Sequence, residues 1–151
     1  MTTTLQTKVF DAQDALTAAL QAYTGSTLAG WSVDFGLPAR RAEKHIWVDE
    51  QVSEWQQSGQ TTGLLSKSET FRMHVYIYVR LTGATALAVR DECKAAGAVV
   101  EQIIGGCPLL GGAAMMAQTV GGEYDGAFAD PEARAREGAL HLIIETQTFL
   151  G

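Results

Sequence analysis

Residues 69–82, ETFRMHVYIYVRLT, constrain the fold more than any other stretch. They alternate without a break. Phe71, Met73, Val75, Ile77, Val79 and Leu81 fall on one side, and Thr70, Arg72, His74, Tyr76, Tyr78, Arg80 and Thr82 on the other. Successive side chains of a strand point to opposite faces, so this is one long strand with an apolar face and a mixed face. Fully burying each large apolar group is worth ~1.5–3 kcal/mol, so the apolar face demands a covering layer. The mixed face sets Tyr76 and Tyr78 among Arg72, Arg80 and His74. Tyrosine and arginine are enriched at protein interfaces. A solvated outer face is the other reading.

Two helices are available as the cover. Over residues 9–23 the apolar positions Val9, Ala12, Leu16, Ala19, Leu20 and Tyr23 have helical spacing, with Asp11 and Asp14 near the first turn and Gly25 as a stop. Over residues 84–105, Ala86, Val89, Cys93, Ala96, Val100 and Ile103 form a narrow stripe of mostly small residues that lets the helix lie close to a sheet. Thr82 or Thr85 caps its start and Gly105-Gly106 end it.

Further strands flank these. Trp31, Val33 and Phe35 alternate in a short strand, and residues 45–48, HIWV, begin another that Asp49-Glu50 interrupts and residues 52–55 resume after a bulge or bend. Residues 58–68 read as the long connection of a hairpin leading into the central strand. Residues 114–128 contain either a strand broken at Gly121-Gly122 or a hairpin turning there. Asp130-Pro131 and the charged residues after it form one helical turn or a charged loop. Residues 139–150, ALHLIIETQTFL, alternate as a strong last strand whose natural partner is the central one. The expected fold is α+β: a mostly antiparallel sheet with two main helices packed on its apolar face. Residues 1–151 read as a single domain, with residues 1–7 a flexible arm.

Composition excludes several function classes. The net charge of −6 argues against a nucleic-acid or membrane-surface binder, which needs a basic patch. Two cysteines, Cys93 and Cys107, do not make a disulfide framework in 151 residues and read as free thiols. The start of the chain lacks the pattern of a signal peptide, and no run approaches the ~20 apolar residues of a membrane span. The expectation is a soluble protein made in the cytoplasm.

Catalytic signals are weak. His45, His74 and His141 lie on three strands without ligand spacing, although sheet pairing could bring His74 and His141 together. There is no nucleophile elbow or phosphate loop; Cys93 sits on a helical stripe as a buried, inert thiol. No catalytic, cofactor or metal site is expected, and an enzyme is not. Trp31 and Trp47 read as core, whereas Trp55 stands among polar residues as an interface anchor. The interface candidates are Trp55, Leu64 and Leu65 in the 58–68 connection, and Arg72, Tyr76, Tyr78 and Arg80 on the mixed face.

The order of segments resembles that of tail terminator proteins (tail completion or minor tail proteins) of long-tailed bacteriophages. An N-terminal helix leads to HIWV at 45–48, then to WQQSG at 55–59, then to ETFRMHVYIYV at 69–79; the helix of 84–105 and the strand of 139–150 close the domain. The resemblance covers residues 5–149, and its motifs are loose patterns of residue type. Residues 107–138 depart most, being rich in Gly and Ala. The resemblance implies a structural virion protein with no catalysis and no cofactor. Such a protein forms a ring, usually hexameric, that caps the tail tube, stops its polymerisation and presents a surface to the head connector or neck protein. It implies a place at the head-proximal end of the tail, with DNA passing through the ring unread. A ring subunit needs two different complementary surfaces. The alternatives are a neck or head-completion subunit of the same virion and, in another class, a small ligand-binding domain or enzyme. That last reading places a pocket between the 84–105 helix and the sheet, with His74 or His141 as its polar group.

Overall fold

The computed structural model describes residues 7–58, 67–106, 110, 114, 116–130, 132 and 134–150. Its elements are α1 (Val9–Gln21), a short 3-10 turn (Ser26–Leu28), β1 (Ser32–Phe35), β2 (Lys44–Val48), β3 (Ser53–Ser58), β4 (Lys67–Thr82), α2 (Ala86–Gly106), β5 (Met116–Asp130) and β6 (Ala135–Leu150). The fold is α+β, with a six-stranded, mostly antiparallel sheet in the order β1-β2-β4-β6-β5. β1 runs parallel to β2. β2 and β3 lie end to end along one edge of β4, paired with residues 75–79 and 68–72. They are one strand interrupted around Asp49-Glu50, as the sequence suggests. β6 pairs with the whole of β4, from Lys67↔Leu150 to Thr82↔Ala135.

The apolar face of β4 forms the core. Phe71, Met73, Val75, Ile77 and Val79 are fully buried, and Ile144 and Leu142 of β6 join them beneath Val9, Ala12, Leu16 and Leu20 of α1 and Val89, Cys93, Ala96 and Val100 of α2. Thr85 caps α2, its hydroxyl accepting from the Ala88 amide at 3.1 Å. The buried stripe of α2 is wider than its small residues suggest, taking in Gly97, Val99 and Ile104. A Cβ on Gly97 would sit 2.8 Å from Leu140 Cδ2, so this glycine sets how closely the helix approaches the sheet.

Three expectations are corrected. Residues 116–130 are neither a broken strand nor a hairpin: β5 is continuous, with an extra residue at Ala129 near its end and another at Val120 between Thr119↔Ile144 and Gly121↔Ile143. That bulge reverses the alternation, so Ala117 and Thr119 before it share the helix-side face with Gly122, Tyr124 and Gly126 after it. Asp130 pairs with Ala135, so β5 and β6 form a β-hairpin, which fits the charged-loop reading of this stretch and not the helical turn. Arg134 turns there with φ 54°, and β6 begins at Ala135, four residues before the alternation of 139–150 suggests. Trp47 is buried, but not in the core. Ile46 and Val48 face the helices, so Trp47 and His45 face the other way.

Candidate functional site: the outer sheet face and the two sheet edges

Among the described residues no helix packs on the second face of the sheet, and its side chains cover one another. Strand register places Trp47, Tyr76, His141 and Glu123 in one row across β2, β4, β6 and β5. Tyr76 is stacked between Trp47 (5.4 Å between ring centroids) and His141 (4.4 Å). His45 meets Trp47 edge-on at 6.0 Å and is held by Asp34 Oδ2 at 2.5 Å and by the Ala42 amide, which donates to Nδ1 at 2.9 Å. At the other end, His74 Nδ1 and His141 Nε2 are 2.7 Å apart, and His74 Nε2 shares a hydrogen bond with Ser53 Oγ at 2.7 Å. Aromatic pairs of this kind add ~0.5–1.5 kcal/mol each beyond their buried area, so the row stiffens the sheet across its strands.

The pairing of His74 with His141, open in the sequence, is realised, but as a hydrogen-bonded pair. Among the described residues, no group of three His, Cys, Asp or Glu converges to hold a metal. Burial, then the neighbouring His141, lowers the His74 pKa below its ordinary 6.5; Asp49 opposes this and Arg72 adds to it. The unfolded chain therefore takes up a proton before the native state does. The stability contributed by neutral His74 is complete above the ordinary histidine value and is lost as pH falls from there through the lowered native pKa. The urea midpoint of the protein is expected to drop between pH 7.5 and about 5, and that of His74→Gln to drop less. Equal slopes in the two proteins would show that His74 does not titrate with folding.

The interface candidates separate into distinct environments. Arg80 is exposed, and Arg72 is half-buried. Tyr76 is half-buried within the aromatic row. Tyr78 is buried, its hydroxyl donating to Glu137 Oε2 at 2.7 Å, with the Arg41 guanidinium 4.5 Å above its ring. Trp55 is 48% exposed, yet its indole N–H donates to Glu69 Oε2 at 2.8 Å. Leu64 and Leu65 lie outside the described residues.

Glu69 is a junction that the sequence reading passes over. Its carboxylate is fully buried and accepts from Thr7 Oγ1 (2.7 Å), the Lys8 amide (2.9 Å), Trp55 Nε1, Gln57 Nε2 (3.3 Å) and Thr148 Oγ1 (3.3 Å). No side chain caps α1 from its own N-cap position, and this carboxylate takes that place, favoured by the helix dipole. The signal was visible: Glu69 falls on the apolar side of the alternation, where an acid is out of place.

The two ends of the strand order, β1 and β5, carry further exposed apolar groups. At β1, Phe35 and Leu37 are 47% and 64% exposed on either side of Gly36, whose φ of 82° makes the bend. At β5 the exposed apolar groups are Met116, Val120 and Tyr124. Between β5 and α2 runs a groove of about 510 Å³, floored by Gly97, Leu140 and Leu142, walled by Tyr124 and rimmed by Arg90, Lys94 and Glu101. The helix-side positions of β5 on either side of Tyr124, Gly122 and Gly126, have no side chains to fill it. The pocket that a ligand-binding domain would need is therefore present, but the histidines assigned to it lie on the opposite face of the sheet. Cys93, in the groove wall, is inert: burial, helped by Glu92, pushes its thiol up to about 11.

Comparison with protein-family models finds no match, and comparison with curated proteins finds none. Among solved structures, a chain from the virion of a native gene transfer agent particle is similar over 89% of this chain and 93% of that one, with a TM-score of 0.46 and 13% identity. A likeness that weak does not fix a function. Among the described residues, no helix is long and apolar enough to cross a membrane.

Proposed function

We propose that this chain is a structural, non-enzymatic virion subunit, a tail terminator that forms a ring on the end of a bacteriophage tail tube. The observation that carries this reading is the pair of dissimilar open edges. β1 and β5 stand at opposite ends of the strand order, and each carries exposed apolar side chains unlike those of the other. Two different surfaces on opposite sides of one subunit are what head-to-tail contacts need, and such contacts close rings. The segment order that resembles the tail terminators supports the particular place, between tube protein and head connector. The acidic charge of −6 suits a passage that DNA crosses without being held.

Size-exclusion chromatography with light scattering over a concentration series tests the reading. The expected mass climbs from 16.2 kDa toward a hexamer, earlier when tail tubes are added. A protein that stays monomeric at every concentration and does not join tail tubes would end the proposal. Localisation on particles by negative stain separates a tail terminator from a neck subunit.

A further inference from the structure

We infer that the ring contact, on the subunit reading above, is made by the Phe35-Gly36-Leu37 corner of one copy seated in the α2–β5 groove of the next. Phe35 is the register partner of Val48, a core residue, so it points to the helix side of the sheet. The groove opens on that same side, at the opposite edge. Copies placed edge to edge with their sheets facing alike bring corner to groove without inverting either one.

The charges match as well. The Glu50 side chain lies against Gly36, which sets an acid beside the corner; Asp34 points to the other face, where it holds His45. The groove rim carries Arg90 and Lys94 against a single acid, Glu101. Arg90 already contacts Asp91 on its own helix, whereas Lys94 has no partner among the described residues. The groove also continues, past Arg90 and Tyr124, into a hollow of about 280 Å³ beside the exposed Leu87, which lengthens the apolar surface for a second side chain. Because corner and groove are different surfaces, a copy that has docked its corner still offers an open groove, and the contact repeats until the ring closes.

Cysteine pairing tests the contact. In a Cys93→Ala, Cys107→Ser background, which removes the thiol native to the groove wall, Leu37→Cys and Ala98→Cys are made separately and mixed under mild oxidation, and Leu37→Asp is made in the native sequence. The expected result is a disulfide-linked dimer in the mixture and in neither variant alone, with association of Leu37→Asp weakened about tenfold or more, as for a buried interface anchor. Assembly that persists in Leu37→Asp, with no crosslink in the mixture, overturns this contact and leaves the ring standing. A crosslink of Leu37→Cys with itself alone means a two-fold contact and also overturns it. Monomers throughout, with tail tubes present, overturn the contact and the ring together.

Discussion

Glu69→Ala is expected to lower the unfolding free energy by about 3 kcal/mol or more, because it strands several donors that share one buried acceptor. The Lys8 amide and the Thr148 hydroxyl suffer most, since Trp55 and Gln57 are exposed enough to turn to water. Against a total stability of roughly 5–15 kcal/mol for a protein of this kind, the loss is large. It reaches three elements at once: the start of α1, β3 and β6 all hang on the same two oxygens. Glu69→Gln keeps the volume but sets an NH₂ group among donors, and is expected to cost about 1–3 kcal/mol.

The two variants also differ from the native protein in acid. Burial by itself would raise the carboxyl, but the hydrogen bonds from Thr7, Lys8, Trp55 and Gln57 together hold it below its ordinary 4.5. A lowered native pKa means that the site's contribution is complete above the ordinary value. It is lost as pH falls through the native one. Urea midpoints of the native protein and of Glu69→Gln should therefore converge below about pH 4. A constant gap from pH 7 down to 3 would show that the charge of Glu69 is not what stabilises. The loss belongs to a more acidic window than that of His74, so the two steps are separable in one titration.

Phe71→Ala is expected to cost about 3–5 kcal/mol, the range for truncating a large core aromatic. Phe71 is fully buried on the helix side of β4, two residues along from Glu69 and beside Met73. Neighbours in a packed interior close only part of the space a ring leaves, so the cost exceeds the transfer of the lost atoms. Phe71→Leu, which refills most of that space, should lose far less. Chemical denaturation checks both, and an alanine variant within about 1 kcal/mol of the native protein would mean that the ring is not packed as described.

Much of this architecture was legible in the sequence, and the reasons differ by element. The period-two pattern of β4 and the stripes of α1 and α2 are long and unbroken, so their existence, faces and order follow from side-chain spacing alone. β5 was illegible because the bulge at Val120 shifts the alternation by a residue, and because Gly121, Gly122 and Gly126 look like turns when they lie within a paired strand. Trp47 was misassigned because hydrophobicity says that a residue is buried, not on which side of a sheet. The outer row of His45, Trp47, Tyr76, His141 and His74 needs strand register, which no local pattern carries. The edge corner at Phe35 and Leu37 was equally hidden. A residue in a short strand looks the same whether its strand is central or last in the sheet.

The pairing of β4 with β6 has a consequence for how the protein comes into being. Every bond on that side of β4 joins residues far apart in the chain, from Thr82 with Ala135 to Lys67 with Leu150. Closing such loops costs entropy before any contact rewards it, and chains dominated by distant pairings fold in milliseconds to seconds, not microseconds. On the ribosome, β4 and its apolar face emerge well before β6 can reach them. During that interval a strand of 16 residues has one bare edge, open to the same strand of a neighbouring nascent chain. The strand that organises the finished molecule is thus also its greatest hazard while it is being made, and folding speed at that one edge decides how much protein is lost to aggregation.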